Sequence, residues 1–319
     1  MDANLFLQDL RLKPASLDAL ASQLAQENPW TQEKLTQEND FLFIGMGSSH
    51  YASGVAAARL RSLGVRATAE LASNSLLPKL TSKSVIIAVS ASGKSEETNS
   101  VIKDLATQHR VISITNDLDA PLAQMSASAV AMHAGVEAGG VVCRTYTHTL
   151  ALERSLEDAI LGKPSSLTDD LTASSRAMVH LLETSDAWLP RFRQMMTTGD
   201  GSYFVAPAER LTNAQQSALM MREGPRLTAV GCETGDWSHV DVYLTKTTDY
   251  RMALFAGSKW ESNLMNWCNQ RNSTVVAVGG DIEGATYSLR YPGDDNKEVR
   301  FFTESFISEL LAADCWINP

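Results

Sequence analysis

Five apolar, mostly β-branched residues, Val85-Ile86-Ile87-Ala88-Val89, run without a polar break into Ser90-Ala91-Ser92-Gly93-Lys94-Ser95. A run with no polar alternation marks a strand covered on both faces, the condition of a strand inside a parallel sheet. The stretch from Glu96 to Leu105 then places acids first, apolar side chains at helical spacing and Lys103 late, the charge order that suits a helix dipole. A strand, a hydroxyl-rich turn and a helix start are therefore expected here. The first N–H groups of such a helix lack partners within it and point, with its positive end, into the turn. Ser90, Ser92 and Ser95 can add donors, so the turn suits a phosphate monoester. The plainer alternative is a Ser/Gly connection that only caps a helix. The Gly-x4-Gly-Lys spacing of a Walker loop is absent.

The same alternation extends along most of the chain. The pattern predicts strands at 41–45, 66–71, 110–114 and 129–132, with helices at 50–63, near 119–126 and at 144–162. Lys163-Pro164-Ser165-Ser166 breaks the last of these, and a helical segment over 167–199 leads to a turn at Gly199 and Gly201. A second alternation follows, with strands at 202–206, 227–231, 252–256, 274–279 and 287–291 and helices at 210–223, 259–271 and 303–315. Leu10, Leu12, Pro14, Leu17, Leu20, Leu24 and Trp30 suggest N-terminal helices. The implied division is 1–38 N-terminal helices, 39–163 first α/β domain, 164–200 helical connection and 201–319 second α/β domain. Strands alternating with helices imply right-handed crossovers, parallel sheets and ligands at the strands' carboxyl ends.

Composition narrows the partners. Among 319 residues the formal net charge is −10, which disfavours nucleic acid and anionic membrane surfaces but leaves an anionic substrate open. No apolar run approaches the ~20 residues of a membrane helix, and Met1-Asp2-Ala3-Asn4 lacks the look of a secretory leader, so a cytoplasmic protein is expected. Cys143, Cys232, Cys268 and Cys315 stand far apart and read as free thiols, with no metal site expected.

Ser-Ala-Ser-Gly-Lys-Ser resembles the phosphate loop of the sugar isomerase (SIS) domain, written Ser-x-Ser-Gly-x-Ser/Thr. Upstream, Phe41-Leu42-Phe43-Ile44-Gly45-Met46-Gly47-Ser48-Ser49 is similar to that family's first strand and its Gly-x-Gly-Ser/Thr-Ser turn, one strand–helix–strand unit earlier. Glu137-Ala138-Gly139-Gly140-Val141-Val142-Cys143-Arg144 resembles the segment in which a Glu precedes a small-residue loop crossing the sugar site. Cys143-Arg144 stands where the family often has Thr-Lys; Arg144 could contact substrate or serve a helix start. The resemblance implies substrate and phosphate binding by Gly47, Ser48, Ser49, Ser90, Ala91, Ser92, Gly93, Ser95, Cys143 and Arg144, and two SIS-type parallel-sheet α/β sandwich subdomains with flanking helices. No cofactor is implied.

The second half departs from the first. It opens with Ala206-Pro207-Ala208, and Phe255-Ala256-Gly257-Ser258 stands in place of the serine-rich loop, so one phosphate site per chain is expected, in the first half. In the isomerase half of glucosamine-6-phosphate synthase, which the chain resembles, a Lys-Glu at a helix end precedes by sixteen residues a His in Gly-Glu-x-x-His. Arg222-Glu223 and Gly235-Asp236-Trp237-Ser238-His239 keep that gap. By resemblance Glu223 is the base that moves a proton between sugar C1 and C2, and His239 assists ring opening across a homodimer interface. One carboxylate shuttling a proton between adjacent carbons, with an acid or base at the ring oxygen, suffices for aldose–ketose interconversion. The plain alternatives are a solvated acid stopped by Gly224-Pro225 and a packed interface histidine. Met220 replaces the family lysine three positions before the base. No lysine follows Lys297, so Schiff-base chemistry from a tail is not expected, nor, without an N-terminal Cys, synthesis from glutamine. The expected activity is a sugar-phosphate isomerase; the alternatives are an amino-sugar 6-phosphate deaminase or deglycase and a non-catalytic sugar-phosphate sensor. The sequence leaves open which sugar, and whether the anion is a phosphate or a sulfonate.

Overall fold

The computed structural model describes residues 1–163 and 165–319. The break expected at Lys163–Ser166 takes in Pro164, which lies outside them. The chain divides into two compact units: a first of residues 16–137 and 142–171, and a second of residues 1–15, 138–141 and 172–319.

Helix α1 (Ala3–Gln26) opens the chain, and a 3₁₀ helix at Thr31–Glu33 follows it within the segment read as N-terminal helices. Pro14 lies inside α1 and removes a main-chain donor without ending it. The turn around that proline is held by other bonds: Lys13 Nζ meets Glu309 at 2.5 Å with both side chains buried, and Ser175 Oγ donates to the Pro14 carbonyl at 3.0 Å.

In the first unit, β1 (Asp40–Gly45), α2 (Ser48–Ser62), β2 (Ala67–Leu71), β3 (Ser84–Val89), α3 (Glu96–Leu105), β4 (Arg110–Thr115), α4 (Pro121–Met125), β5 (Ser128–Ala131) and α5 (Arg144–Leu161) follow in turn. All strand pairs are parallel, in the order β2-β1-β3-β4-β5. Every residue of β3 is buried, as its unbroken apolar run requires. One face packs Leu42, Ile44, Ile86, Ala88 and Val111 under Ile102 of α3 and Leu122 of α4, while α2 and α5 pack together beside β1.

Two helices, α6 (Leu167–Glu183) and α7 (Ser185–Thr197), occupy the segment read as one helical stretch. Then come β6 (Ser202–Ala206), α8 (Leu211–Glu223), β7 (Ala229–Glu233), α9 (Thr234–Trp237), β8 (Arg251–Phe255), α10 (Glu261–Gln270), β9 (Thr274–Val278), β10 (Tyr287–Leu289) and α11 (Lys297–Ile317). This sheet is also parallel, ordered β10-β9-β8-β6-β7. Counted within each sheet, both orders read 2-1-3-4-5. Helix α11 begins six residues before the expected start, because the Asn296 side chain accepts from Glu298 N–H and caps it there. The Asp241–Lys246 3₁₀ segment and α9 lie in a stretch where the sequence pattern suggested no element. Among the described residues no helix is long and apolar enough to cross a membrane.

Candidate functional site

In the first unit Gly45 pairs with Val89, so the turns that leave β1 and β3 start side by side at the carboxyl ends of neighbouring strands. That position, where the strand order reverses, is the ligand crevice of an open α/β sheet. Gly47 (φ +52°) is the N-cap of α2 and Ser48 and Ser49 are its first residues. Gly45 admits no side chain, since a Cβ there would lie 2.9 Å from Ser49 Cβ and 3.1 Å from the Val89 carbonyl.

The second turn is fixed from behind. Ser90 N–H donates to the Ile114 carbonyl (3.1 Å), extending the ladder by one bond, and Asn116 N–H donates to the Ala91 carbonyl (3.0 Å). A trans peptide sends its C=O and the next N–H in opposite directions, so binding the Ala91 carbonyl turns Ser92 N–H outward. Neither Ala91 N–H nor Ser92 N–H has a hydrogen-bond partner among the described residues. Gly93 takes φ +63°, and a Cβ there would lie 2.5 Å from Ala120 Cβ. Ser92 is exposed and its Oγ accepts from Lys94 N–H at 3.1 Å, which leaves its proton to donate. Ser95 is committed otherwise: it caps α3, accepting from Thr98 N–H at 3.3 Å and donating to Glu97 at 3.0 Å. The Glu97 carboxyl is held below its ordinary range by its own main-chain N–H and that hydroxyl. Lys94 Nζ reaches Asp117 at 2.9 Å, and that bond foremost holds the Asp117 carboxyl down.

Cys143 and Arg144 behave differently from the loop serines. The Glu137 carboxylate accepts from the N–H groups of Cys143 (2.7 Å), Arg144 (2.6 Å) and Thr145 (3.1 Å), so the start of α5 already carries an anion. The Arg144 side chain is buried and donates to the Val136 carbonyl, which ties it to the preceding loop. His50, third residue of α2, was not singled out from the sequence, although it follows the Gly-x-Gly-Ser-Ser turn directly. Burial lowers its pKa, the Glu70 carbonyl and charge oppose, and its Nδ1 is buried without a partner among the described residues.

Glu223 and His239 both belong to the second unit. Glu223 is the last residue of α8 and partly buried, and Gly224 ends the helix against Trp316. His239 is exposed and lines a groove of about 350 Å³ with Glu233, Asp236, Ser238, Trp260 and Asn263. Glu233 caps α9 by accepting from Gly235 and Asp236 N–H at 2.7 and 2.8 Å. Glu223 is not among the residues lining that groove. All four cysteines are free thiols, and among the described residues no group of three or more His, Cys, Asp or Glu could hold a metal ion.

Residues 34–156 match the family model of the SIS domain. This segment is a SIS domain. Over 301 residues the chain is 22% identical to the isomerizing glutamine–fructose-6-phosphate aminotransferase of Campylobacter jejuni, covering 90% of this chain and 50% of that protein. The chain thus spans about half the length of this curated relative. Among solved structures, the C-terminal domain of glucosamine-fructose-6-phosphate aminotransferase from Francisella tularensis superposes with a TM-score of 0.80 at 14% identity, over 98% of this chain and 96% of that one. Glucosamine-6-phosphate deaminase from Thermotoga maritima gives 0.75 at 20% identity over 98% and 94%, and tagatose-6-phosphate ketose/aldose isomerase from Escherichia coli 0.76 at 17% over 97% and 92%. These likenesses show a shared fold, with two five-stranded parallel sheets.

Proposed function

We propose that the protein is an enzyme of sugar-phosphate metabolism that interconverts an aldose and a ketose by moving a proton between C1 and C2. The observation that carries this reading is the turn after β3, where two successive N–H groups and the Ser92 hydroxyl stand uncommitted at the switch point of a parallel sheet. Such donors suit the three oxygens of a phosphate monoester. Gly47, Ser48 and Ser49 complete the proposed cradle from the neighbouring turn. Glu223 is the proposed base and His239 the proposed ring-opening group, in a homodimer; these roles rest on their sixteen-residue spacing. A second reading, loss of an amine from an amino-sugar 6-phosphate, shares the same proton transfer and is favoured by the amino-sugar enzymes among the structural relatives.

The test is exchange of the sugar C2 proton with solvent deuterium across a panel of sugar phosphates. The wild type should exchange, and Glu223→Gln should exchange ~10²–10⁴ more slowly while binding the same ligand. Equal exchange by both would place the base elsewhere; no exchange by the wild type, with binding intact, would select a sensor. Ammonia release from glucosamine 6-phosphate separates deaminase from isomerase.

A further inference from the structure

We propose that Asn116 is a positioning residue, which pins segment 133–137 beside the turn after β3 so that this segment walls the sugar of a bound sugar phosphate. Built on the functional reading above, this role adds the element that meets the substrate beyond its phosphate. Asn116 directly follows β4 and works in two directions. Its main-chain N–H donates to the Ala91 carbonyl at 3.0 Å, the bond that turns Ser92 N–H outward. On the other side the ladder between β4 and β5 ends where Met132 N–H donates to the Thr115 carbonyl at 2.8 Å. From there the Asn116 side chain takes over: its Oδ1 accepts from Ala134 N–H at 2.9 Å and its Nδ2 donates to the Gly135 carbonyl at 2.7 Å. An amide supplies one acceptor and one donor side by side, as a further strand residue would, whereas a carboxylate supplies no donor.

The segment needs this pin. His133 takes φ +54°, a left-handed conformation that disfavours any residue with a Cβ, and hydrophobic cover ends at Ala134, since Val136 is 83% exposed. What holds the remainder is polar: the Arg144 guanidinium donates to the Val136 carbonyl, and the Glu137 carboxylate accepts from the first N–H groups of α5. The strand order places β4 on one side of β3 and β1 on the other. The proposed phosphate cradle therefore has the Gly47–Ser49 turn on its β1 side and segment 133–137 on its β4 side, and a sugar attached to the phosphate is bounded there by the pinned segment. Only the side chain of Asn116 holds that segment, while its main chain holds the turn. Removing the side chain thus separates the two.

The experiment titrates the full chain, wild type and Asn116→Ala, with inorganic phosphate and with fructose, glucosamine and tagatose 6-phosphates in a calorimeter. For the sugar phosphate that the wild type binds tightest, the ratio of its affinity to that of inorganic phosphate should fall about tenfold in the variant, and C2-proton exchange ~10²-fold. Affinity for inorganic phosphate should stay as it is. An unchanged ratio overturns the proposal, and so does a joint loss of both affinities with a lower thermal midpoint, the mark of a merely structural residue. Should Asn116→Ala fail to fold, the isosteric Asn116→Asp serves: it keeps the acceptor and loses the donor, and the ratio cancels the effect of its charge on the shared phosphate group. Hydrogen–deuterium exchange over residues 133–137 checks the pin without any ligand; it should quicken in the variant, and unchanged exchange overturns the proposal. A wild type that binds neither phosphate nor any sugar phosphate defeats the functional reading and this one with it. A wild type that prefers the sugar phosphates, beside a variant that prefers them equally, defeats this one alone.

Discussion

Both sheets run 2-1-3-4-5, and in both the turn after the central strand starts with the same extra ladder bond, but one turn ends with open donors and the other closes on Glu261. Topology therefore sets where the turn lies, and the side chain at the head of the next helix decides whether its N–H groups are capped from within the chain. Position 95 is a capping serine in one turn; its counterpart in the other, counted from the ladder bond, is Glu261. The buried glutamates of the two units differ in a parallel way. Glu304 faces Arg210 at 2.9 Å, whereas Glu153 on α5 accepts from the Ser53 hydroxyl at 2.8 Å, has no cation against it among the described residues, and has a like charge, Glu157, nearby.

Breaking the charged plug of the second unit should cost most. Arg210→Ala leaves Glu304 buried without its cation and is expected to lower stability by about 3–5 kcal/mol in urea denaturation, and pairing Arg210→Met with Glu304→Leu should recover most of it. Glu153→Gln should act oppositely. Burial pushes the Glu153 carboxyl up to about 8 from 4.5, with Glu157 adding and Ser53 opposing. The folded state then binds more protons than the unfolded one between these values, so stability falls as pH rises through that window and is level on either side. Glu153→Gln should abolish this slope and gain up to about 3–5 kcal/mol above the upper value, measured as denaturation midpoint against pH. A wild-type stability that is flat across the window would refute the assignment.

Smaller effects separate the turns themselves. Gly93→Ala forces a side chain into a left-handed conformation and into Ala120, and should cost about 2–4 kcal/mol together with phosphate affinity. At the matched position of the second turn, Lys259→Ala should stay within about 0.5 kcal/mol of wild type, because that residue is an exposed lysine without positive φ. Ser95→Ala removes the cap of α3 for about 1 kcal/mol in the same assay. A comparable loss at Lys259 and Gly93 would show that the two positions are equally constrained, against the difference in their backbone conformation.

The strands were legible because buried parallel strands are continuous apolar runs, and β6 spans the residues expected of it. The turn after β3 was legible because its hydroxyls and glycine stand in one short run. What escaped was what depends on distant partners. Arg210 reads as an ordinary helix-start cation until Glu304, far along the chain, comes beside it. Pro14 signals a helix end locally, and only the Lys13–Glu309 contact and the bond from Ser175 explain why α1 continues. Glu261 did leave a trace: Ser258-Lys259-Trp260-Glu261 sets an acid where Ser92-Gly93-Lys94-Ser95 has a hydroxyl. At Arg144 the sequence left substrate contact and helix start equally open, and the bond to the Val136 carbonyl accounts for the side chain structurally.

The discontinuous make-up of the second unit bears on how the protein emerges from the ribosome. Residues 1–15 belong with residues 172–319, and their partners Phe306, Glu309 and Trp316 are made only after the whole first unit. The first unit has all its residues once position 171 has left the exit tunnel and can fold as a body then. Phe6 and Leu10, both fully covered in the folded unit, must wait in water until those partners have been made. Slow translation of residues 172–319 would lengthen that exposure and favour capture by chaperones, with no change to any residue of the mature fold.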